Sequence, residues 1–203
     1  MARHIRPRGK INRRFGVALF GPSKALERRA YAPGVHGNKG HKKQSDYAVA
    51  LGEKQKLKFA YGIMEKQFRR YYQQALRKKG ITGENLLQFL ELRLDNIVHR
   101  LGFATTRRYS RQMVSHGHIR VNGRKVSIPS YGCRQGDVIE VKDLPKARRM
   151  AAMCLEASQL HPVPDWLSLQ KESFKGTVAR IPTRDEIAPI ANEQLVVELY
   201  SRS

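Results

Sequence analysis

The dipeptide Asn122-Gly123 limits what this chain can fold into more than any other stretch. Alternating arms flank it, Ile119 to Val121 and Arg124 to Val126, and Asn-Gly between such arms is the strongest short-range signal for a two-residue hairpin. The register follows: Val121 faces Arg124, Arg120 faces Lys125, and Ile119 faces Val126. Two cations directly opposed across a strand pair cost a few tenths of a kcal/mol. A polyanion lying on that face reverses the sign, because its phosphates neutralise both charges and release counterions.

The residues before the hairpin extend the same surface. Leu90, Leu94, Ile97, Val98 and Leu101 recur at helical spacing, with Gly102 as a C-cap, so one buried helix is expected. Thr106 is placed to N-cap a second, short helix. On it Arg107, Arg108 and Arg111 fall within an arc of about 100°, while Tyr109 and Met113 point the other way. Gly117 stops that helix. Any one of these cations alone reads as a solvated charge, but Arg107, Arg108, Arg111, Arg120 and Lys125 have no acidic residue among them and lie on adjacent elements. Together with Arg124 they read as one phosphate-binding surface. His116 and His118 are two apart at a strand entry and share a face. No third ligand is evident, so a solvated or phosphate-contacting pair is favoured over a metal site. Val138, Ile139 and Val141, after the Gly136-Asp137 turn, supply a third strand.

The charge of the whole chain points the same way. Lys and Arg number 39 against 17 Asp and Glu, a net +22, which penalises a compact chain by self-repulsion unless a polyanion is its normal environment. The excess is uneven: +10 over residues 1–50, +6 over 51–100, +8 over 101–150, and −2 over 151–203. Nucleic acid should meet the first three quarters, and the last quarter should pack or meet protein. Two cysteines, Cys133 and Cys154, cannot staple 203 residues and do not have zinc spacing. A reduced, intracellular protein is expected. No apolar run is long enough to span a bilayer, and MARHIRPRGK lacks the apolar core of a secretory signal.

Taken in order, residues 1–45 read as a basic extended arm. Glycine and proline punctuate it, and its anchors are few (Phe15, Val17, Leu19, Phe20). Arg3, Arg6, Arg8, Arg13, Arg14, Arg28, Arg29 and His36 are its candidate RNA contacts. A helical domain follows over 46–92, starting at Ser45-Asp46 and jointed at Gly62. Leu57, Phe68, Tyr71, Tyr72 and Ala75 form its apolar stripe, and Lys54, Lys58, Lys66, Arg69 and Arg70 lie on the opposite, RNA-facing side. Residues 93–184 form an α+β domain, of which 93–141 is the RNA-binding module. Beyond Val141 a helix is expected over Arg149–Leu160, then a less regular stretch in which Trp166, Leu167 and Leu169 cover the sheet edge and Thr177–Ile181 adds a strand. The tail, 185–203, should pack back on the helical domain; Asn192–Tyr200 fits an Asn-capped helix or a strand. The fold class is therefore α+β, with helices packed on a small antiparallel sheet.

Enzyme chemistry is not visible: there is no phosphate-cradling GxxxxGK loop, and neither a metal nor a cofactor is expected. The alternative function is the recognition domain of an RNA-modifying enzyme; Arg93-Leu94-Asp95 faintly resembles the RLD of pseudouridine synthases. Against it, no stretch is left for a catalytic domain, and Asp95 fits a helix-surface or capping role. A generic DNA-binding protein is the third reading.

The segment Arg93–Val141 resembles the small RNA-binding domain named after small-subunit ribosomal protein S-four. RRAYAPGVHG (28–37), EKQKLKFAYGIMEKQFRRYY (53–72), GENLLQFLELRLDNIVHRLGFA (83–104) and NEQLVVELYS (192–201) resemble the full-length bacterial S-four family, which covers nearly the whole chain. The resemblance implies a primary binder of 16S rRNA that nucleates assembly of the 5′ domain by clamping a multi-helix junction. It also implies contact with ribosomal protein S-five at an interface tied to decoding accuracy, with Asn192, Glu193, Gln194 and Tyr200 nearby. Lys39, Lys42 and Lys43 would line the path along which mRNA enters, and the protein would reside in the cytoplasmic, bacterial ribosome without forming homo-oligomers. Certain relatives hold zinc through cysteines in the arm; residues 1–45 here contain none, so zinc is not expected.

Overall fold

The computed structural model describes residues 7–39, 43–157 and 162–202. Among them the helices are α1 (Arg8–Phe15), α2 (Lys24–Arg28), α3 (Asp46–Ala60), α4 (Glu65–Arg77), α5 (Thr82–Glu91), α6 (Leu94–Arg100), α7 (Arg107–Ser115), α8 (Pro145–Ala157) and α9 (Glu193–Ser201). The strands are β1 (Ile119–Val121), β2 (Arg124–Lys125), β3 (Val138–Val141), β4 (Leu167–Gln170) and β5 (Lys175–Val178). The chain forms two compact units, Met1–Gly83 with Ala188–Ser203, and Glu84–Ile187. The sequence reading drew its main division at residues 92 and 93 instead. The difference arises at α5, whose Leu86, Leu87 and Leu90 are buried.

In the first unit, Ser45 Oγ caps α3 by accepting from Ala48 N at 3.3 Å. Gly62 (φ +65°) turns the chain into α4, whose Phe68, Tyr71, Tyr72 and Ala75 recur at helical spacing and are buried. Helix α9 packs against α3. It is a helix rather than a strand because Asn192 Oδ1 accepts from the Gln194 and Leu195 amides (3.0 and 3.4 Å), which turns Val196 and Leu199 inward. Where an extended arm was expected, α1 and α2 form. Ile11, Leu19 and Phe59 are buried together, with Phe15, Phe20 and Ile190 against them. Arg13 pins the next loop, donating to the Tyr31 and Ala32 carbonyls (3.0 and 3.2 Å) with its guanidinium 4.8 Å from the Tyr31 ring centroid.

In the second unit the five strands form one antiparallel sheet in the order β2-β1-β3-β5-β4. Leu94, Ile97, Leu101, Phe103, Met113, Ile119, Ile139 and Trp166 lie in its core. The fold is thus α+β, as the sequence indicates. Three local readings are corrected. The single helix through Leu90 and Leu101 is two, because Arg93 takes an extended backbone (φ −68°, ψ 137°) and bridges Gly132, while the Leu94 and Asp95 amides donate to the Tyr131 and Pro129 carbonyls instead of to the preceding turn. Helix α8 begins at Pro145, which has no N–H to lose in a first turn. Within the stretch read as less regular, Leu167 and Leu169, expected to cover the sheet edge, lie in β4, and the strand expected over Thr177–Ile181 is β5, shifted to Lys175–Val178; the two form a hairpin in which Leu167 pairs with Val178 and Gln170 with Lys175.

Candidate nucleic-acid interface

The hairpin has the expected register. Asn122 (φ 50°) and Gly123 (φ 77°) form the loop, Arg120 lies opposite Lys125, and Val121 opposite Arg124. Asn122 does more than turn: its Nδ2 donates to Asp137 Oδ1, and its Oδ1 accepts from the Val138 amide, both at 2.9 Å. Across its other edge Arg120 meets Glu140, which pairs with Lys175 at 3.6 Å. The like-charge cost read from the hairpin alone is therefore partly offset by β3.

Helix α7 starts as expected, with Thr106 Oγ1 accepting from the Tyr109 amide at 3.2 Å. No acidic residue was expected among these cations themselves, but one from a neighbouring helix meets Arg111. Asp95 is buried and accepts from Arg93 twice (3.0 and 2.8 Å) and from Arg111 Nη1 (3.2 Å). Beside it, Glu91 accepts from Arg100 (3.1 and 2.7 Å) and from Asn96 Nδ2 (2.6 Å), and Asn96 Oδ1 accepts from Arg107 Nε at 2.7 Å. Of the two roles read for Asp95, helix surface or cap, the surface one is overturned by its burial; it stands in the first turn of α6. It is the hub through which α6 holds Arg111, while Asn96 holds Arg107. Sequence reasoning missed this layer because Glu91 to Arg107 is spread over three helices. Arg108 is exposed, as are Arg124 and Lys125.

His116 and His118 do share a side, their rings 6.1 Å apart. The His118 pKa is lowered, first by burial and then by His116, Lys142 and Lys146. Gly117 between them has φ +73°, a left-handed conformation that L side chains rarely adopt, and the Lys125 side chain lies across it, its Cε 2.2 Å from where a Cβ would stand.

The first unit holds the other candidates. Lys54 and Lys58 are paired with Glu65 (2.8 and 3.0 Å), and the Tyr200 hydroxyl donates to the same carboxylate at 2.7 Å. Burial alone would raise the Glu65 pKa, but the hydrogen bonds from Lys54, Tyr200 and Lys58 bring it from 4.5 to about 2. These two lysines are thus engaged in docking α9, with the Tyr200 ring stacked 4.7 Å from Tyr72. Lys66, Arg69 and Arg70 are exposed on α4. In α1, Arg8 and Arg14 lie 5.9 and 5.6 Å from the ring centroids of Phe20 and Phe15. Arg28, Arg29, His36, Lys39 and Lys43 are exposed, whereas Arg3, Arg6 and Lys42 lie outside the described residues. At the tail, the Asn192 amide donates to Glu53 Oε2 at 2.9 Å. Glu193 lies against Gly83, where an added Cβ would come within 2.8 Å of its Cγ, and Gln194 is exposed. Among the described residues no group of three or more His, Cys, Asp or Glu is placed to hold a metal, and no helix is long and apolar enough to cross a membrane. Cys133 and Cys154 are free thiols, both buried.

The class that this arrangement defines is found among known families: the S4 domain matches residues 92–139, and the Ribosomal protein S4/S9 N-terminal domain matches residues 3–91. Over the full length of both chains, the sequence is 57% identical to small ribosomal subunit protein uS4 of Akkermansia muciniphila, and 54% and 49% identical to the proteins of that name from Opitutus terrae and Thermus thermophilus. The chain belongs to the uS4 family of small ribosomal subunit proteins.

Proposed function

We propose that this protein is a structural, non-enzymatic component of the small ribosomal subunit that binds 16S rRNA directly and nucleates folding of the 5′ domain. The observation that carries this reading is similarity to the uS4 proteins along the whole chain. The charge supports it: the net +22 is concentrated before residue 151. The second unit would read RNA by shape and phosphate contact through Arg108, Arg120, Arg124 and Lys125, with Arg107 and Arg111 held in place by α6. Arg3, Arg6, Arg8, Arg13, Arg14, Arg28, Arg29 and His36 would follow rRNA grooves, and Lys66, Arg69 and Arg70 would face it from α4. Lys54 and Lys58 would act mainly by docking α9. The tail from Asn192 to Tyr200 would meet ribosomal protein S-five and influence decoding accuracy, and Lys39, Lys42 and Lys43 would line the path along which mRNA enters. The setting would be the cytoplasmic ribosome of a bacterium.

Equilibrium binding of the protein to a 16S 5′-domain fragment, against an unrelated structured RNA of equal length, tests the reading at about 0.15 M salt and above. The expected result is a preference for the 5′-domain fragment that survives added salt. Equal affinities that collapse together would leave only non-specific charge attraction and refute it.

A further inference from the structure

A groove of about 490 Å³ runs between α7 and α8 in the second unit, lined by Tyr109, Met113, His116, His118, Lys146 and Met150, with Gln112 at its rim. That volume falls within the range of small-ligand sites, about 300–1,000 Å³. Two chemistries meet in it. One side is rich in hydrogen-bond donors: the His116 and His118 rings converge with the Lys146 ammonium, Lys142 bears on His118 as well, and no carboxylate lines the groove among the described residues. The other side is apolar and polarisable, made of the buried Met113, the half-buried Met150 and the half-buried Tyr109 ring. A solvated basic face needs no apolar floor; an apolar side chain seated there would leave the ammonium unmatched, and a lone carboxylate would leave the apolar floor uncovered. A nucleotide satisfies both: its phosphate meets the imidazoles and the ammonium, and its base covers the thioethers and the phenol.

We propose that this groove receives one unstacked nucleotide of the bound RNA, its phosphate at His116, His118 and Lys146 and its base against Tyr109, Met113 and Met150. The site lies away from the arginines that α6 holds and would add a single-nucleotide contact to recognition otherwise made through shape and phosphates. It rests on the rRNA-binding reading above.

The test uses the full chain, the 16S 5′-domain fragment and the unrelated RNA. Lys146→Glu, at an exposed position, should weaken binding of the 5′-domain fragment at least fivefold and lower the salt slope by up to about 0.9. Met150→Ala should weaken it at least threefold with an unchanged slope, since it removes no phosphate contact. Gln112→Trp, an exposed rim position where folding is not at issue, should block the groove and weaken binding likewise. Ultraviolet cross-linking followed by mass spectrometry should place a nucleotide adduct on a peptide containing Tyr109, His118 or Met150. Affinities within 1.5-fold of the parent for Gln112→Trp and Met150→Ala, with no adduct on those peptides, would overturn the groove proposal while the parent's preference for the 5′-domain fragment stands. Loss of that preference in the parent would instead remove the rRNA reading, and the groove assignment with it.

Discussion

At the scale of single residues, Asp95 shows how far a side chain's surroundings escape its sequence neighbours. In the sequence it follows Leu94 in an amphipathic run and reads as a surface or capping acid. In the structure it is buried against Arg93 and Arg111, whose side chains reach it from different elements. Removing one partner of a buried pair costs about 3–5 kcal/mol, because the other charge is left uncompensated. Asp95→Ala should therefore destabilise the second unit by about that much, measured by urea unfolding, whereas Asp165→Ala, at an exposed position, should change stability by less than about 0.5 kcal/mol. His99 gives the pH counterpart. Burial first, then the Arg107 charge, lowers its pKa from 6.5 to about 4, and its ring Nδ1 lies 3.1 Å from the Ala104 carbonyl oxygen. The folded state holds this imidazole neutral, so its stabilising contribution is complete above pH 6.5 and is lost as pH falls from there toward 4. His99→Gln should flatten the rise of unfolding free energy between pH 4 and 6.5. An unchanged slope there would assign the titration to other groups.

Among elements, the hairpin and α7 carry similar charge but differ in what else that charge does. Arg120 and Lys125 sit on a short strand pair whose geometry comes from Asn122 and Gly123, while Arg107 and Arg111 also tie α7 to α6. Replacing Arg120 and Lys125 with Gln should lower the salt slope of RNA binding by up to about 0.9 for each phosphate no longer neutralised and leave unfolding free energy within about 0.5 kcal/mol. Replacing Arg107 and Arg111 with Ala should lower both the slope and the stability. Paired salt titrations and denaturation curves separate the two. At the other end of the chain, Asn192→Ala removes the cap of α9 and should cost about 1 kcal/mol. These starts were legible because a cap or a two-residue turn depends on a few adjacent residues. The break at Arg93 was not, because the partners of the Leu94 and Asp95 amides, Tyr131 and Pro129, lie more than thirty residues on.

For the whole molecule, the division into two units follows how the tail is held. Tyr200 stacks on Tyr72 and donates to Glu65, and Val196 and Leu199 are buried within the same unit. Tyr200→Ala should therefore raise amide hydrogen exchange in α3, α4 and α9 and leave β1, β3 and β5 unchanged. Faster exchange throughout would mean that the units open together. By itself the sequence determined the class of fold, the hairpin with its register, the caps of α3 and α7, the cationic character of the first three quarters and the family resemblance. All of these rest on neighbouring residues, on periodicity or on summed charge, which need no knowledge of distant contacts. At Asn192 it offered a capped helix or a strand, and the structure decided for the helix. Only the tertiary structure decided which cations are held by carboxylates, that α1 and α2 pack where an extended arm was expected, that β4 and β5 extend the sheet, and that a mixed cationic and apolar groove lies between α7 and α8. Each depends on side chains brought together from segments far apart along the chain. Burial in that packed setting, more than residue type, sets the environment each of them meets.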